Sequence, residues 1–451
     1  LPVVGHAAAL LRDPLGFLER AYPLGDVVLL RLGPKPAYLV NGSEPLRRIL
    51  VADAPYYDKG FQIENLRALI GDGIGTSVGP KHRRQRRLMR PAFDHAHVEG
   101  YVGIMAQCAS QTADTWRGGR TFDAGREMRL LAMTSIIRAV LGVADRPGTV
   151  GALQTDAEAQ AGVVAALSVV LAGVGRRAIL PLALLDRPPT PGNLRFNRAH
   201  DYLHAMVERM VTEHRAAQRE NAGAERGGEV GAAGLLDTLL AAVDEDGVGM
   251  TDQQVHDEVM TVLLAGSETS AGTLGWLLHI LSRDLDLQRA VQQEVDTVLA
   301  GRTPQAADLK SLPLMRRVIS EALRLYPASW LLGRRPLQEV EIAGVPVPPR
   351  VQVLLNFYGL HRDPQAYPDP NRFDPDRWID PDPEVLRSHY LPFGMGPHVC
   401  IGEGFAWSLI TTTLAVIASQ YTIKPVPGAV VRPVARTTLH PGVVPLTVEP
   451  R

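Results

Sequence analysis

Phe393-Gly394-Met395-Gly396-Pro397-His398-Val399-Cys400-Ile401-Gly402 sets a single cysteine on a glycine-rich loop directly ahead of a helix-forming run, Ile401 to Leu409. That order suits a metal-bound thiolate. Gly394, Gly396 and Gly402 open backbone conformations closed to other residues and let a flat cofactor approach the main chain, while Phe393 offers a ring beside the sulfur. Unpaired amides at the helix start would point towards Cys400 and favour its anion. A buried free thiol in a turn is the plainer alternative.

On either side of this loop the pattern changes. The first 60 residues carry strand-like runs, Asp26 to Leu32 and Ala37 to Asn41, parted by the turn Gly33-Pro34-Lys35-Pro36, so a small antiparallel sheet is expected. From about His82 to Gly301 apolar residues recur at three and four, broken at Pro188-Pro189-Thr190-Pro191 and at a Gly- and charge-rich loop from Asn221 to Gly234. This predicts a helix-dominated body. Beyond a helix ending near Tyr326, Trp330 to Asn356 alternates like strands, a Pro- and Asp-rich meander runs from Asp363 to Pro383, and helical spacing returns after Cys400. No internal repeat is visible, and the expectation is one mainly α domain with a small β part over 1–451.

Composition narrows the function classes. Of 451 residues, 45% are hydrophobic and 21% charged, enough for a sizeable core and incompatible with wholesale disorder. A formal net charge of -1 argues against a dedicated nucleic-acid binder. With Cys108 and Cys400 the only cysteines, neither a disulfide framework nor a four-cysteine zinc site exists within the chain, which fits a reducing cytoplasm. The longest apolar run, Ala161 to Gly173, falls short of the roughly 20 residues of a membrane span and reads as a buried helix or a binding-site wall.

Three further constellations carry chemistry. In the apolar helix Val255 to Leu278, Ala265-Gly266-Ser267-Glu268-Thr269-Ser270 sets small residues beside an acid and an alcohol. Gly266 costs about 1 kcal/mol against Ala there, which asks for close approach of a cofactor face or a widened groove. A helix contact made by small residues, with Glu268 in solvent, is the alternative. Glu321 and Arg324 stand three apart on one helical face, a spacing that more often marks a solvated pair. His82 and Arg86 stand four apart, while Arg83, Arg84, Arg87 and Arg90 spread around the same helix. His95 and His97 lack a third ligand, and Cys108 among Ile104, Met105 and Trp116 reads as a core thiol. Gly227, Gly228, Gly231 and Gly234 follow no strand, so they make no dinucleotide fingerprint.

The Phe-Gly-x-Gly-x-His-x-Cys-x-Gly segment resembles the haem-ligating loop of the cytochrome P450 family. Ala265–Thr269, Glu321-Ala322-Leu323-Arg324 and Phe373-Asp374-Pro375-Asp376-Arg377-Trp378 resemble three more family segments in the expected order, and the resemblance runs from about Pro2 to the C-terminus. It implies the P450 fold, with haem b between a long central helix and the cysteine-loop helix. It also implies insertion of one oxygen atom of dioxygen into a C–H bond of a small hydrophobic substrate. Cys400 would ligate the iron, Thr269 hydrogen-bond dioxygen, and Glu268, where members often have Asp, relay protons through water. Ala265, Gly266, Phe393 and Gly402 would border the haem, and His82, Arg86, Arg334 and His398 would hold its propionates. Glu321, Arg324 and Arg377 would stabilise the core around the haem loop.

The same topology implies a pocket lined by Phe61, Leu66, Ile70 and Ile74 in a loop from Phe61 to Ile74, by Val163 to Leu171, by Leu264 within Leu263 to Thr269, and by Trp330 and Leu331. These are largely aliphatic and favour a compact hydrocarbon. The His82 to Phe93 run and Trp330-Leu331-Leu332-Gly333-Arg334-Arg335 are similar to those of actinobacterial members that oxidise cyclic terpenes, which implies a sesquiterpene-like substrate. Fatty acids, steroids and macrolides are the alternatives. Electrons would come from a separate ferredoxin and ferredoxin reductase, for which Arg83, Arg84 and Arg87 form either a docking patch or a plain solvated face. Retention of Glu268 and Thr269 weighs against a peroxide-using or non-redox haem-thiolate enzyme, and the apolar pocket against a non-catalytic haem sensor.

Overall fold

A computed structural model of the chain describes residues 5–33, 35–116, 121–142, 157–179, 190–221 and 234–451. The breaker at Pro188-Pro189 and nearly all of the Asn221 to Gly234 loop, with Gly227, Gly228 and Gly231, lie outside the described residues. The chain divides into two compact units of interleaved segments.

The first unit comprises Leu1–Glu64, Pro313–Cys400 and Arg432–Gly442. Its sheet has five strands, in spatial order Val27–Leu32, Lys35–Val40, Gln352–Leu355, Leu332–Pro336 and Tyr57–Asp58. The first pair is the expected antiparallel hairpin, with Val27 opposite Val40 and Leu32 opposite Lys35, and Gly33 at φ +70° turns the chain. Successive side chains of a strand point to opposite faces. Leu39 and Leu354 accordingly join one core with Leu18, Trp330 and Tyr358, while Val40, Val353 and Leu355 join another with Leu46, Ile49 and Phe357. A separate hairpin, Val340–Ile342 with Val345–Val347, completes the strand-rich stretch.

The second unit comprises Asn65–Leu312, Ile401–Val431 and Val443–Arg451. The central helix runs Asp252–Arg283, longer at both ends than its apolar pattern suggests, because polar caps extend it. Thr251 Oγ1 accepts from Gln254 N at 3.2 Å while Gln254 Oε1 accepts from Thr251 N at 3.0 Å, a reciprocal capping box. Around this helix, Ala124–Leu141, Ala157–Ile179 and Pro191–Asn221 contribute Ile136, Ile137, Val163, Leu167, Leu203 and Val207 to one apolar core with Val259 and Leu263. A small sheet of Phe122–Asp123, Pro445–Pro450 and Tyr421–Pro425 closes one side.

Two local expectations change. The stretch read as a loop from Phe61 to Ile74 is a helix over Gly60–Ile70, followed by a short turn. Its only residues without good helix propensity in the interior are few, and Arg67 anchors its end by donating to Thr76 O at 2.6 Å. The helix after Cys400 begins at Glu403 and runs to Gln420, with Gly402 as its N-cap. Gly402 has φ -89°, a value open to any residue, so no conformational need for glycine exists there. Among the described residues no helix is long and apolar enough to cross a membrane.

Candidate active site

Within the first unit, the cysteine loop is built from its backbone. Gly394 N donates to Leu391 O at 3.0 Å, Val399 N to Gly396 O at 3.1 Å, and Cys400 N to Phe393 O at 2.9 Å, so the loop closes on itself and leaves Cys400 exposed. Gly394 and Gly396 have φ +72° and +71°, where side chains are strained. A Cβ on Gly396 would also lie 2.1 Å from Leu50 O. Phe393 and His398 share the loop and are partly buried.

The Glu321 and Arg324 pair is not a solvated face but the polar centre of this unit. Both are 0% exposed, and Arg324 donates from Nε to Glu321 Oε2 at 2.8 Å and from Nη2 to Glu321 Oε1 at 2.7 Å. Its Nη1 donates to His361 O and Pro370 O, each at 2.8 Å. Trp378 Nε1 and Asp374 N, both at 3.0 Å, complete the carboxylate's acceptor set, and Arg377 Nε stands 3.4 Å from Glu321 Oε1. Burying a charge is tolerable only when it is paired and hydrogen-bonded in this way. Helix Pro313–Leu325 is thereby tied to the meander, including the arginine named from sequence.

Arg334 is buried on strand Leu332–Pro336, and its Nη1 donates to Gly333 O at 2.8 Å. Among the described residues no carboxylate pairs with it, and burial pushes its pKa down to about 10 against a weak opposing field from Asp58. A buried guanidinium without an anion calls for one. Its neighbour Arg335 has taken Asp58 and Glu64 as its own partners. Trp330 and Leu331, named as pocket residues from sequence, pack with Leu18, Leu39 and Leu354, and Trp330 Nε1 donates to Arg436 O at 2.9 Å. Phe61 is 39% exposed in the first turn of its helix.

Within the second unit, the central helix is buried almost all round, yet Ala265 is exposed and Val262 and Thr269, at spacings of three and four from it, are partly so. These positions form one open stripe along the middle of the helix. Gly266 has a different reason: a Cβ there would meet Ile136 Cδ1 at 2.9 Å, so the glycine admits the crossing helix Ala124–Leu141. Thr269 Oγ1 donates to Ala265 O at 2.8 Å, and Glu268 is partly buried beside it. Ile70, Ile74 and Leu264 share one apolar core with Val163, Leu167 and Val170, and Leu66 packs against it.

His82 is buried and Arg86 half-buried on the helix Gly79–Met89. The arginines read as a possible docking patch divide. Arg84 Nε donates to Asp244 Oδ2 at 2.6 Å and its Nη2 to the carbonyls of Val248 and Gly249, and Arg87 pairs with Glu245. Arg83 and Arg90 face solvent. His95 and His97 occupy the first turn of helix His95–Ala113, capped by Asp94, and among the described residues no cluster of three or more His, Cys, Asp or Glu could hold a metal. Cys108 is 2% exposed, with Arg138 Nη1 at 3.7 Å.

The family model described as Cytochrome P450 matches residues 1–447. The chain belongs to the cytochrome P450 family. Among relatives of this P450, cyclooctat-9-en-7-ol 5-monooxygenase of Streptomyces melanosporofaciens is 38% identical over 100% of this chain and 94% of its own length. Pentalenene oxygenase of Streptomyces avermitilis is 38% identical over 98% of this chain and 93% of its own. The crystal structure of the cytochrome P450DA haem domain superposes with a TM-score of 0.82 at 25% identity, covering 99% of this chain and 94% of that one. This P450 is a monooxygenase whose family uses a haem-thiolate cofactor, redox partners and hydrophobic substrates.

The residues present fit that cofactor. In the first unit an exposed cysteine on a pre-shaped loop offers its sulfur, and the buried Arg334, without a carboxylate partner among the described residues, calls for an anion; in the second unit Val262, Ala265 and Thr269 leave an open stripe of modest side chains on the central helix. Sequence reasoning passed over His361, which is fully buried beside Arg324, and over Asp257 and Glu258, whose carboxylates accept from Asp72 N and Ile74 N at 2.8 Å. A clue to the second pair existed in Gly71 and Gly73, where a Cβ would lie 2.2 Å from Asp257 Oδ1 and 2.5 Å from Thr261 Oγ1. No single-sequence signal marks His361.

Proposed function

We propose that this P450 is a single catalytic domain that oxidises a C–H bond of a cyclic terpene, with haem b ligated by Cys400 and electrons supplied by a ferredoxin and its reductase in the cytoplasm. The observation that carries the substrate class is the whole-length 38% identity to enzymes named for the oxidation of cyclooctat-9-en-7-ol and pentalenene. The aliphatic core around Ile70, Ile74, Val163, Leu167 and Leu264 supports it, because such a wall binds by burial of apolar area and offers few groups to a charged substrate.

The haem, when bound, supplies the activation of dioxygen. Cys400 would hold the iron through its sulfur, and Arg334, His82, Arg86 and His398 would meet the propionates. Thr269 Oγ1 already donates its proton to Ala265 O, so towards the stripe it presents lone pairs that would accept from a proton-bearing group. Glu268 carries protons inward from water. The remaining side chains orient the hydrocarbon and keep water out.

Spectral titration of the purified haem protein against a panel of cyclic terpene hydrocarbons and alcohols, with a saturated fatty acid as comparison, tests the reading. A shift with cyclic terpenes is expected. No shift with any of them, alongside a clear shift with the fatty acid, overturns it.

A further inference from the structure

His361 is 0% exposed, and both of its ring nitrogens are engaged. Leu391 N lies 2.9 Å from Nε2, and Arg324 O lies 3.2 Å from Nδ1. An amide can only donate and a carbonyl can only accept, so one tautomer satisfies both: neutral, with its proton on Nδ1. Arg324 returns the contact by donating from Nη1 to His361 O at 2.8 Å. The ring therefore bridges the buried ion-pair helix to Leu391, whose own carbonyl accepts from Gly394 N at 3.0 Å at the start of the cysteine loop. Phe393 O, two residues beyond Leu391, accepts from Cys400 N at 2.9 Å.

We propose that His361 is the positioning residue of the cysteine loop: its neutral ring fixes the Leu391 amide relative to helix Pro313–Leu325 and so sets how residues 393–400 present the Cys400 sulfur. This rests on Cys400 being the haem ligand. Groups that orient a metal ligand through the backbone control its basicity and its hold on the metal, and a loop rich in glycine has little stiffness of its own. Burial, with Arg324 and Arg362 adding repulsion, pushes the His361 pKa down to about 3, so the ring stays neutral well below the ordinary histidine range and the two hydrogen bonds persist.

The two halves of the bridge can be separated in the haem-loaded protein. His361→Asn places an amide nitrogen near Nδ1 and keeps the donor to Arg324 O but removes the acceptor of Leu391 N. His361→Gln places an oxygen near Nε2 and keeps that acceptor. The readouts are the ratio of thiol- to thiolate-ligated ferrous carbonyl complex, the rate of haem loss to a haem-scavenging globin, and the thermal midpoint. His361→Asn should raise the thiol-to-thiolate ratio and the haem-loss rate about tenfold, the effect of leaving one buried amide unsatisfied. His361→Gln should stay within about twofold of wild type in both, even where its thermal midpoint falls.

A wild-type carbonyl complex without thiolate character overturns the Cys400 reading itself. A wild type with full thiolate character and a His361→Asn protein equal to it overturns only the role of His361. So does an equal loss of thiolate in both variants that tracks their thermal midpoints, since that would mark a fold staple. Should His361→Asn fail to accumulate, His361→Gln decides alone: retained thiolate supports the role, and its loss overturns it.

Discussion

Replacing Glu321 by Gln changes one oxygen and no shape, and the geometry of its partners fixes the outcome. Glu321 Oε1 accepts from Arg324 Nη2 and Asp374 N, and Oε2 accepts from Arg324 Nε and Trp378 Nε1. Whichever way the amide turns, its NH2 faces two of these donors, so one charge-assisted bond and one neutral bond are lost together. At about 1.5–3 kcal/mol for the first and about 1 kcal/mol for the second, the deficit is roughly 2.5–4 kcal/mol. The guanidinium of Arg324, 0% exposed, also loses its counter-charge, which agrees with the roughly 3–5 kcal/mol found when one member of a buried pair is removed. Urea unfolding followed by tryptophan emission should shift by that amount, with Trp378 reporting locally. Arg317→Ala is the matched control, because its partner Asp376 is 74% exposed and the pair should be worth under about 1 kcal/mol. A Glu321→Gln protein less than about 1 kcal/mol below wild type would refute the reasoning.

Gly396→Ala should cost at least about 2 kcal/mol and speed haem loss, because φ +71° and a backbone carbonyl 2.1 Å from the new Cβ act together, whereas Gly394→Ala, at φ +72° with open space, should cost about 1–2 kcal/mol. Thermal midpoints of the two should fall in that order; the reverse order contradicts it. Stability should be full above about pH 6.5 and decline below it, because the unfolded chain then binds a proton that folded His361, with its pKa near about 3, refuses; this one group contributes up to about 1.4 kcal/mol per pH unit. His204 and His279, both held below the ordinary range by burial, act in the same direction, so a urea midpoint that rises from about pH 6.5 to about pH 5 would be inconsistent. Thr269→Ala should keep haem binding and substrate affinity within about twofold while diverting most reducing equivalents to peroxide or water; unchanged coupling of electrons to product rejects its role. Arg84→Ala should lower the thermal midpoint through loss of the Asp244 pair, while Arg83→Ala should leave it unchanged and slow reduction by ferredoxin at low salt only, a split read from stopped-flow traces at two ionic strengths.

Much of this was legible along the chain. The cysteine loop, the acid–alcohol step at Glu268 and Thr269, the hairpin at Gly33 and the long apolar helix each depend on residues within one or two turns of each other, and local spacing encodes them. Gly266 was noticed for its helical cost, but the neighbour that requires it, Ile136, stands 130 positions away. The helix Gly60–Ile70 was missed because its apolar and polar residues do not alternate cleanly at helical spacing, and its end is pinned by Arg67 and the turn that follows.

The residues themselves determined the side chains on offer: a cysteine on a glycine-rich loop, an acid beside an alcohol in an apolar helix, and a supply of aliphatic side chains. Only the tertiary structure decided which charges are buried and against what. The pair Glu321 and Arg324 reads the same in sequence whether it lies in solvent or at 0% exposure, and the link from Arg324 through His361 to Leu391 joins positions 37 and 30 apart. Burial and hydrogen-bond direction are set by the meeting of distant backbone segments, for which no local spacing exists, and these fix both the strength of an ion pair and the tautomer of a histidine.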